Sequence, residues 1–227
     1  MKKLLSTALL ASTLITSLYG GGGGDILRAN TMINTLEYQF NEEKALSWDA
    51  FAYIGYDINK LYIYSEGEKA KDSSAKSENQ LVYSRAILPF WDVQIGVDYD
   101  KTPNTNKTWG VIALQGLAPY FFETRAVLLL ADDGNIGFRF DAEYEALITQ
   151  KLILTPSFAF DAYTQDSQEL GLGSGLSNVT LGARLRYAFV REFAPYVGVE
   201  WSKNFGTTNT IAPLDEVYLN AGVRFWF

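Results

Sequence analysis

From Ile136 to Ile148 the chain alternates without a break. Ile136, Phe138, Phe140, Ala142, Tyr144, Ala146 and Ile148 share one parity; Gly137, Arg139, Asp141, Glu143, Glu145 and Leu147 share the other. Period two is the mark of an extended strand, whose successive side chains point to opposite faces, whereas a helix would mix the two sets all round. Val179–Phe189, Trp91–Tyr99 and Val217–Phe227 repeat the pattern. Each run has about the 9–11 residues with which a tilted strand crosses a bilayer. About twelve such segments follow one another, an even number in the range of bacterial barrels, which brings both chain ends to one side. They start near Ile33, Leu46, Lys60, Asn79, Trp91, Thr108, Tyr120, Ile136, Lys151, Asn178, Pro195 and Asp215. The pattern predicts an all-β protein, an antiparallel transmembrane β-barrel of about twelve strands. In Gln80–Leu88 and Trp109–Leu117 both parities are partly apolar, and no face is assigned.

The connections alternate in length. Asp57–Asn59, Pro89–Phe90, Ala118–Pro119, Thr149–Gln150 and Arg191–Ala194 are tight, while Lys69–Ser77, Lys101–Lys107, Gln165–Ser177 and Gly206–Leu214 are longer and polar. Short periplasmic turns and longer outer loops are the asymmetry expected of an outer-membrane barrel. Asn41–Lys44 and Asp132–Asn135 are short where the alternation asks for long. A water-soluble β-sandwich or barrel is the competing reading, with its charged face turned outward.

The first residues read differently. Met1, Lys2 and Lys3 precede an apolar run from Leu4 to Leu18, and glycines follow at Gly20 to Gly24. This is the layout of a secretory signal peptide, too short and too rich in Ser and Thr for a spanning helix; a buried N-terminal helix is the alternative. The expected division is a signal peptide over residues 1–22, a short periplasmic segment over 23–34, and the barrel over 35–227. Export and a barrel together place the protein in the cell outer membrane, in contact with its lipid.

Composition removes whole classes of chemistry. The net charge is −7, and loss of Lys2 and Lys3 makes the exported part more acidic still, which argues against nucleic acid as a partner. There is no Cys, so no disulfide staples the fold. There is no His, which removes the Ser-His and Cys-His nucleophile arrangements and the commonest metal ligand. The expectation is a protein that is not an enzyme. Paired acids such as Asp141, Glu143 and Glu145 sit at the spacing of one strand face, as any lumen charges would. Gly171–Gly175 reads as a flexible outer loop rather than a phosphate cradle. Trp48, Trp91, Trp109 and Trp201 lie near strand ends and suit interfacial girdles.

In a membrane barrel the polar parity faces the lumen. The lumen-facing charge candidates are Glu123, Arg125, Arg139, Asp141, Glu143, Glu145, Asp161, Arg184, Arg186, Glu200 and Arg224, with Glu216 and the tyrosines Tyr62, Tyr64 and Tyr196 beside them. Hairpin register from the turns brings Arg125 toward Asp141 and Glu143, and Glu200 toward Arg184 and Arg186. Charges taken out of water must be paired or hydrated. The set therefore reads either as a charge ladder that fills or lines the lumen, or as a solute path. No catalytic residue and no metal-ligand set is assigned, and no cofactor is required for folding. At the C-terminus, Asn220, Gly222, Phe225 and Phe227 resemble the signal by which the barrel assembly machinery recognises outer-membrane barrels.

Several ordered stretches resemble the outer-membrane copper-resistance protein B family. They are Trp48-Asp-Ala-Phe-Ala-Tyr-Ile-Gly-Tyr-Asp-Ile-Asn-Lys-Leu61, Ser65-Glu-Gly-Glu68, Tyr83-Ser-Arg85, Gln94-Ile-Gly96, Gln115-Gly-Leu-Ala-Pro-Tyr120, Leu152-Ile-Leu-Thr-Pro156, Gly173-Ser-Gly-Leu-Ser177 and Arg191-Glu-Phe-Ala-Pro-Tyr-Val-Gly-Val-Glu-Trp201. The resemblance runs from Leu36 to Phe227. It implies an outer-membrane barrel acting in copper tolerance, copper as the bound or exported ion, and a periplasmic multicopper oxidase as partner. Members of the family carry a long Met- and His-rich N-terminal segment. Here Asp25–Asn34 precedes the first expected strand, and Met32 is the only thioether after Met1. A small general pore or structural barrel without a metal role is the alternative function.

Overall fold

The computed structural model describes residues 26–71, 74–103 and 105–227. The expected signal peptide, and the first residues of the segment after it, lie outside the described residues. Thirteen strand segments form one sheet: β1 (Arg28–Gln39), β2 (Leu46–Gly55), β3 (Asn59–Lys69), β4 (Lys76–Leu88), β5 (Trp91–Lys101), β6 (Asn106–Ala118), β7 (Phe122–Leu130), β8 (Ile136–Glu143), β9 (Ala146–Leu147), β10 (Leu152–Tyr163), β11 (Gly175–Tyr187), β12 (Phe193–Asn204) and β13 (Asp215–Trp226). β8 and β9 make one interrupted stave, so the barrel has twelve. Each strand pairs antiparallel with the next, and β13 returns to pair with β1, which closes the cylinder and leaves no free edge. Both described ends and the short turns share one rim, and the longer connections share the other.

Two elements differ from the expected ones. β1 begins at Arg28 rather than near residue 35, so most of the expected periplasmic segment belongs to the wall. Arg28 to Ile33 pair with Gly55 to Ala50, and Thr31 exchanges two 3.1 Å backbone hydrogen bonds with Phe227. Backbone pairing needs no side-chain alternation, so a strand flanked on both sides can begin where the sequence pattern is silent. The stave expected to run unbroken from Ile136 to Ile148 pauses at Tyr144–Glu145. Pro156 of β10 sits opposite. Its carbonyl accepts the Tyr144 N–H at 3.1 Å, but proline has no N–H to return.

The outer face is apolar around the ring. Ile63, Ile95, Val197 and Leu219 stand more than half exposed, and Phe138, Phe140, Phe158 and Phe160 make an outward aromatic cluster. A soluble barrel would bury that face; an apolar outer belt is the surface that an outer-membrane-type barrel presents to hydrocarbon. The two unassigned segments now have faces. Val82, Trp109, Val111 and Ala113 point inward and are buried, while Leu81, Tyr83, Ile112 and Leu114 point outward. With Tyr62, Val127, Leu129 and Tyr163 they build an apolar cluster on one inner wall. Trp109 therefore corrects the girdle reading: its indole lies inside and donates to Asp100 at 2.8 Å.

At the long-loop mouth the β10–β11 connection folds inward, and Leu170 and Leu172 cap that cluster. A short helix, α1 (Gly206–Ile211), occupies the β12–β13 connection. Its buried Thr208 accepts the Gly173 N–H at 2.8 Å and lies 2.9 Å from the Ser177 hydroxyl, which ties the two loops together. Among the described residues no helix is long and apolar enough to cross a membrane.

Candidate functional site

The lumen is crossed at three levels, each by a charged side chain long enough to leave its own wall. Nearest the long-loop mouth is Arg139 of β8. Its guanidinium reaches Asp98 at 3.1 Å and Asp100 at 3.2 Å on β5, bonds Glu78 on β4, and accompanies a 3.2 Å hydrogen bond to Tyr163. Asp98 is fully buried. Glu78, Asp98 and Asp100 bring one carboxylate oxygen each within 4.8 Å of one another, the spacing of a cation site. The arginine is the cation that they hold.

The middle level has two centres. Arg184 of β11 reaches across the closing seam to Glu37 of β1 at 3.1 Å and pairs with Glu200 of β12 at 3.0 Å. Glu37 is buried and also accepts from Tyr196 at 2.8 Å and Asn220 at 3.3 Å, while Tyr218 donates to Glu200. On the other wall Arg125 donates to Gln80 at 2.5 Å and Gln94 at 3.3 Å, and lies 4.2 Å over the Tyr64 ring. Gln94 is held in turn by Gln115 at 2.7 Å. Nearest the short-turn rim, Glu145 accepts from Arg186 and Arg224, both at 2.7 Å. It sits in the pause opposite Pro156. Met32, the thioether of β1, lies 4.0 Å from Arg224.

The sequence-derived residues thus divide. Arg139, Glu145, Arg184, Arg186, Glu200 and Arg224 join ion pairs across the lumen. Arg125 stands opposite Asp141 in the ladder, as the turn length implies, yet its guanidinium turns to the glutamines. Arg184 meets Glu200 as expected, whereas Arg186 takes Glu145 instead. Among the described residues no ion pair within 4.0 Å reaches Glu123, Asp141, Glu143 or Asp161. Glu37, Asp49, Glu66, Glu78, Asp98 and Asp100 line the lumen without having been singled out. The alternation from Trp91 to Tyr99 marks Asp98 as polar-face, and extending it one step would have found Asp100. Glu78 sits just ahead of a segment whose two parities look alike.

The C-terminal set has a structural role. Asn220 bonds Glu37, and a Cβ at Gly222 would fall 2.7 Å from both Glu37 and the Tyr196 hydroxyl. Phe225 and Phe227 stack at 6.5 Å beside the seam. The tail that resembles an assembly signal is thus also the closing strand.

Comparison with known proteins agrees with this geometry. A family model described as copper resistance protein B precursor matches residues 27–227. Copper resistance protein B of Escherichia coli is 37% identical over 202 residues, covering 86% of this chain and 68% of that one. A homolog from Pseudomonas syringae pv. tomato is 37% identical over 198 residues, covering 85% and 67%. Among solved structures, the NanC porin superposes with a TM-score of 0.57 at 14% identity, over 87% of this chain and 99% of its own. The KdgM porin gives 0.53 at 12%, over 89% and 99%. At such identities the porins speak for the fold alone.

Proposed function

This chain belongs to the copper resistance protein B family, and from that premise we propose that it acts in copper tolerance from the outer membrane, with its lumen as the part that meets the metal. The short-turn rim would face the periplasm and the long loops the exterior, as export and the loop asymmetry require. The observation that carries the reading is the extent of the match: residues 27–227 are the barrel itself, from the first strand to the last. What the family shares with this chain is therefore the wall and its interior.

The interior supports the reading by its charge. Carboxylates and tyrosine hydroxyls dominate the donors, and Met32 is the only soft ligand among the described residues. Oxygen donors hold copper weakly and as Cu(II), where thioethers and imidazoles would hold it tightly. Such a lumen suits transit rather than storage. A periplasmic multicopper oxidase is the partner that the family resemblance suggests, and the short-turn rim is the face it would reach. A general pore or structural barrel without a metal role is the second reading, favoured by the scarcity of soft ligands, Met32 alone among the described residues.

The test is copper tolerance of a strain lacking the protein, with zinc and a detergent as controls and the complemented strain alongside. Sensitivity to copper alone, restored by complementation, is the expected result. Unchanged tolerance in a strain with no other copper system would refute a copper role, and equal sensitivity to all three agents would point to envelope integrity.

A further inference from the structure

The arginines of the lumen are all engaged, and the acids continue beyond them as a row of which Arg139 holds only the outer end. Asp49 of β2 stands directly opposite Glu66 of β3, Glu66 opposite Glu78 of β4, and Glu78 opposite Asp100 of β5. Such a row runs across the strands, and barrel strands tilt by about 35–45°, so it climbs along the wall as it goes round. It rises from Asp49 to the long-loop mouth, where Glu78 and Asp100 line an open recess together with Lys76, Lys101 and Arg139. On the far wall Glu143 stands opposite Glu123 near the short-turn rim.

Like charges placed directly opposite in a sheet repel and destabilise it. An interior serving only to pack could carry neutral polar groups at these positions, as it does at Gln80 and Ser84. A second observation points to a cationic occupant. Asp98 and Asp100 are 0% and 5% exposed, and Arg139 takes the Oδ2 of each, yet among the described residues each Oδ1 has no hydrogen-bond partner. Buried carboxylate oxygens are otherwise satisfied. Glu66, Glu123 and Asp141, moreover, face inward but remain open to water.

We propose that this carboxylate row is a passage for small hydrated cations, monovalent and divalent, from which anions are excluded. It rests on the reading of the lumen as the functional part and names the form that passes. An all-oxygen lining accepts an ion with its waters, which for copper means Cu(II). Arg139 sits at the outer end as the internal cation that an entering ion displaces from Glu78, Asp98 and Asp100.

The experiment is the reversal potential of the purified protein in planar bilayers under a KCl gradient. The expected result is preference for potassium over chloride by about tenfold or more, as a cleft lined by one sign of charge focuses its field. The double variant Asp49→Asn, Glu66→Gln should lose most of that preference. Glu42→Gln, in the exposed β1–β2 loop, should keep it. Glu66→Gln alone serves if the double variant does not fold, since no ion pair or side-chain hydrogen bond among the described residues holds Glu66. Absence of conductance, a preference for chloride or for neither ion, or unchanged selectivity in the variants would overturn the proposal. The assay contains no copper. A cation-selective barrel whose loss leaves copper tolerance unchanged would sink the copper reading and keep the passage; an unselective barrel that restores tolerance would do the reverse.

Discussion

The Glu37–Arg184 pair offers the sharpest check on how the lumen is held. Arg184 comes from β11 and Glu37 from β1, so the pair spans the seam that closes the cylinder. The glutamate side chain is 1% exposed and the arginine 20%. Glu37→Leu would leave Arg184 with Glu200 alone and strip Tyr196 and Asn220 of their acceptor. Breaking a buried pair costs about 3–5 kcal/mol, and because Glu200 stays in place at 3.0 Å the lower end, about 3 kcal/mol, is expected. Arg184→Met should cost more, about 4 kcal/mol, since it breaks both pairs at once and leaves Glu37 and Glu200 without a cation, although Tyr196 and Asn220 still satisfy part of Glu37. The double variant replaces both charges with apolar groups and should fall short of the sum by about 1.5 kcal/mol or more. The assay is urea unfolding in phospholipid vesicles followed by tryptophan fluorescence, with m-values compared to confirm that only stability has changed. Additivity within about 0.5 kcal/mol would refute the pairing as a stabilising contact across the seam.

Three further outcomes follow from single contacts. Trp109→Phe keeps the ring in the inner apolar cluster but removes the 2.8 Å donor to Asp100, and should cost about 1–3 kcal/mol in the same unfolding assay; a neutral result would mean that the inward tryptophan is not bonded there. Gly222→Val would push a side chain into Glu37 and Tyr196, and the seam should fail to close, seen as loss of the compact, heat-modifiable band on gels; normal mobility would contradict the packing at the seam. Outside the membrane, the 2.7 Å hydrogen bond from Lys107 holds the Asp133 carboxyl below its ordinary value of 3.8. A carboxylate with a lowered folded pKa stabilises fully above its unfolded value and loses that contribution as pH falls through the folded one. The loop contact should thus persist at neutral pH and weaken below about pH 4, in a carboxylate titration by NMR, and Lys107→Met should raise the Asp133 value part of the way, since the Asn135 N–H still donates to it at 3.0 Å.

Much of the wall was legible in advance, and the exceptions are instructive. Alternation placed Arg139, Asp141 and Glu143 on one face, and turn lengths set Arg125 opposite Asp141 and Arg184 beside Glu200. Those are neighbour relations, decided by local backbone geometry. The stop at Tyr144 was also written in the chain, as Pro156, but its effect needs the pairing partner to be known. Val82, Trp109 and Val111 were not readable, because an inward apolar residue looks the same in sequence as an outward one. The lumen near these residues is packed rather than wet, so the polar-inside rule lapses there.

By itself the sequence determined the strand period, the number of staves within the count of its turns, the apolar belt and the family. Each depends on side chains one or two strands apart, or on composition. Only the closed cylinder decided which charges meet. Closure brings β13 to β1, so Glu37 finds Arg184 from the far end of the chain. The curvature of the wall lets long side chains cross from one stave to another several places away, so Arg139 reaches β4 and β5 rather than its ladder neighbours. Which acids go unpaired follows from that crossing. The arginines can satisfy only the carboxylates within reach of their guanidinium groups, and the slant of the strands lines up the remainder.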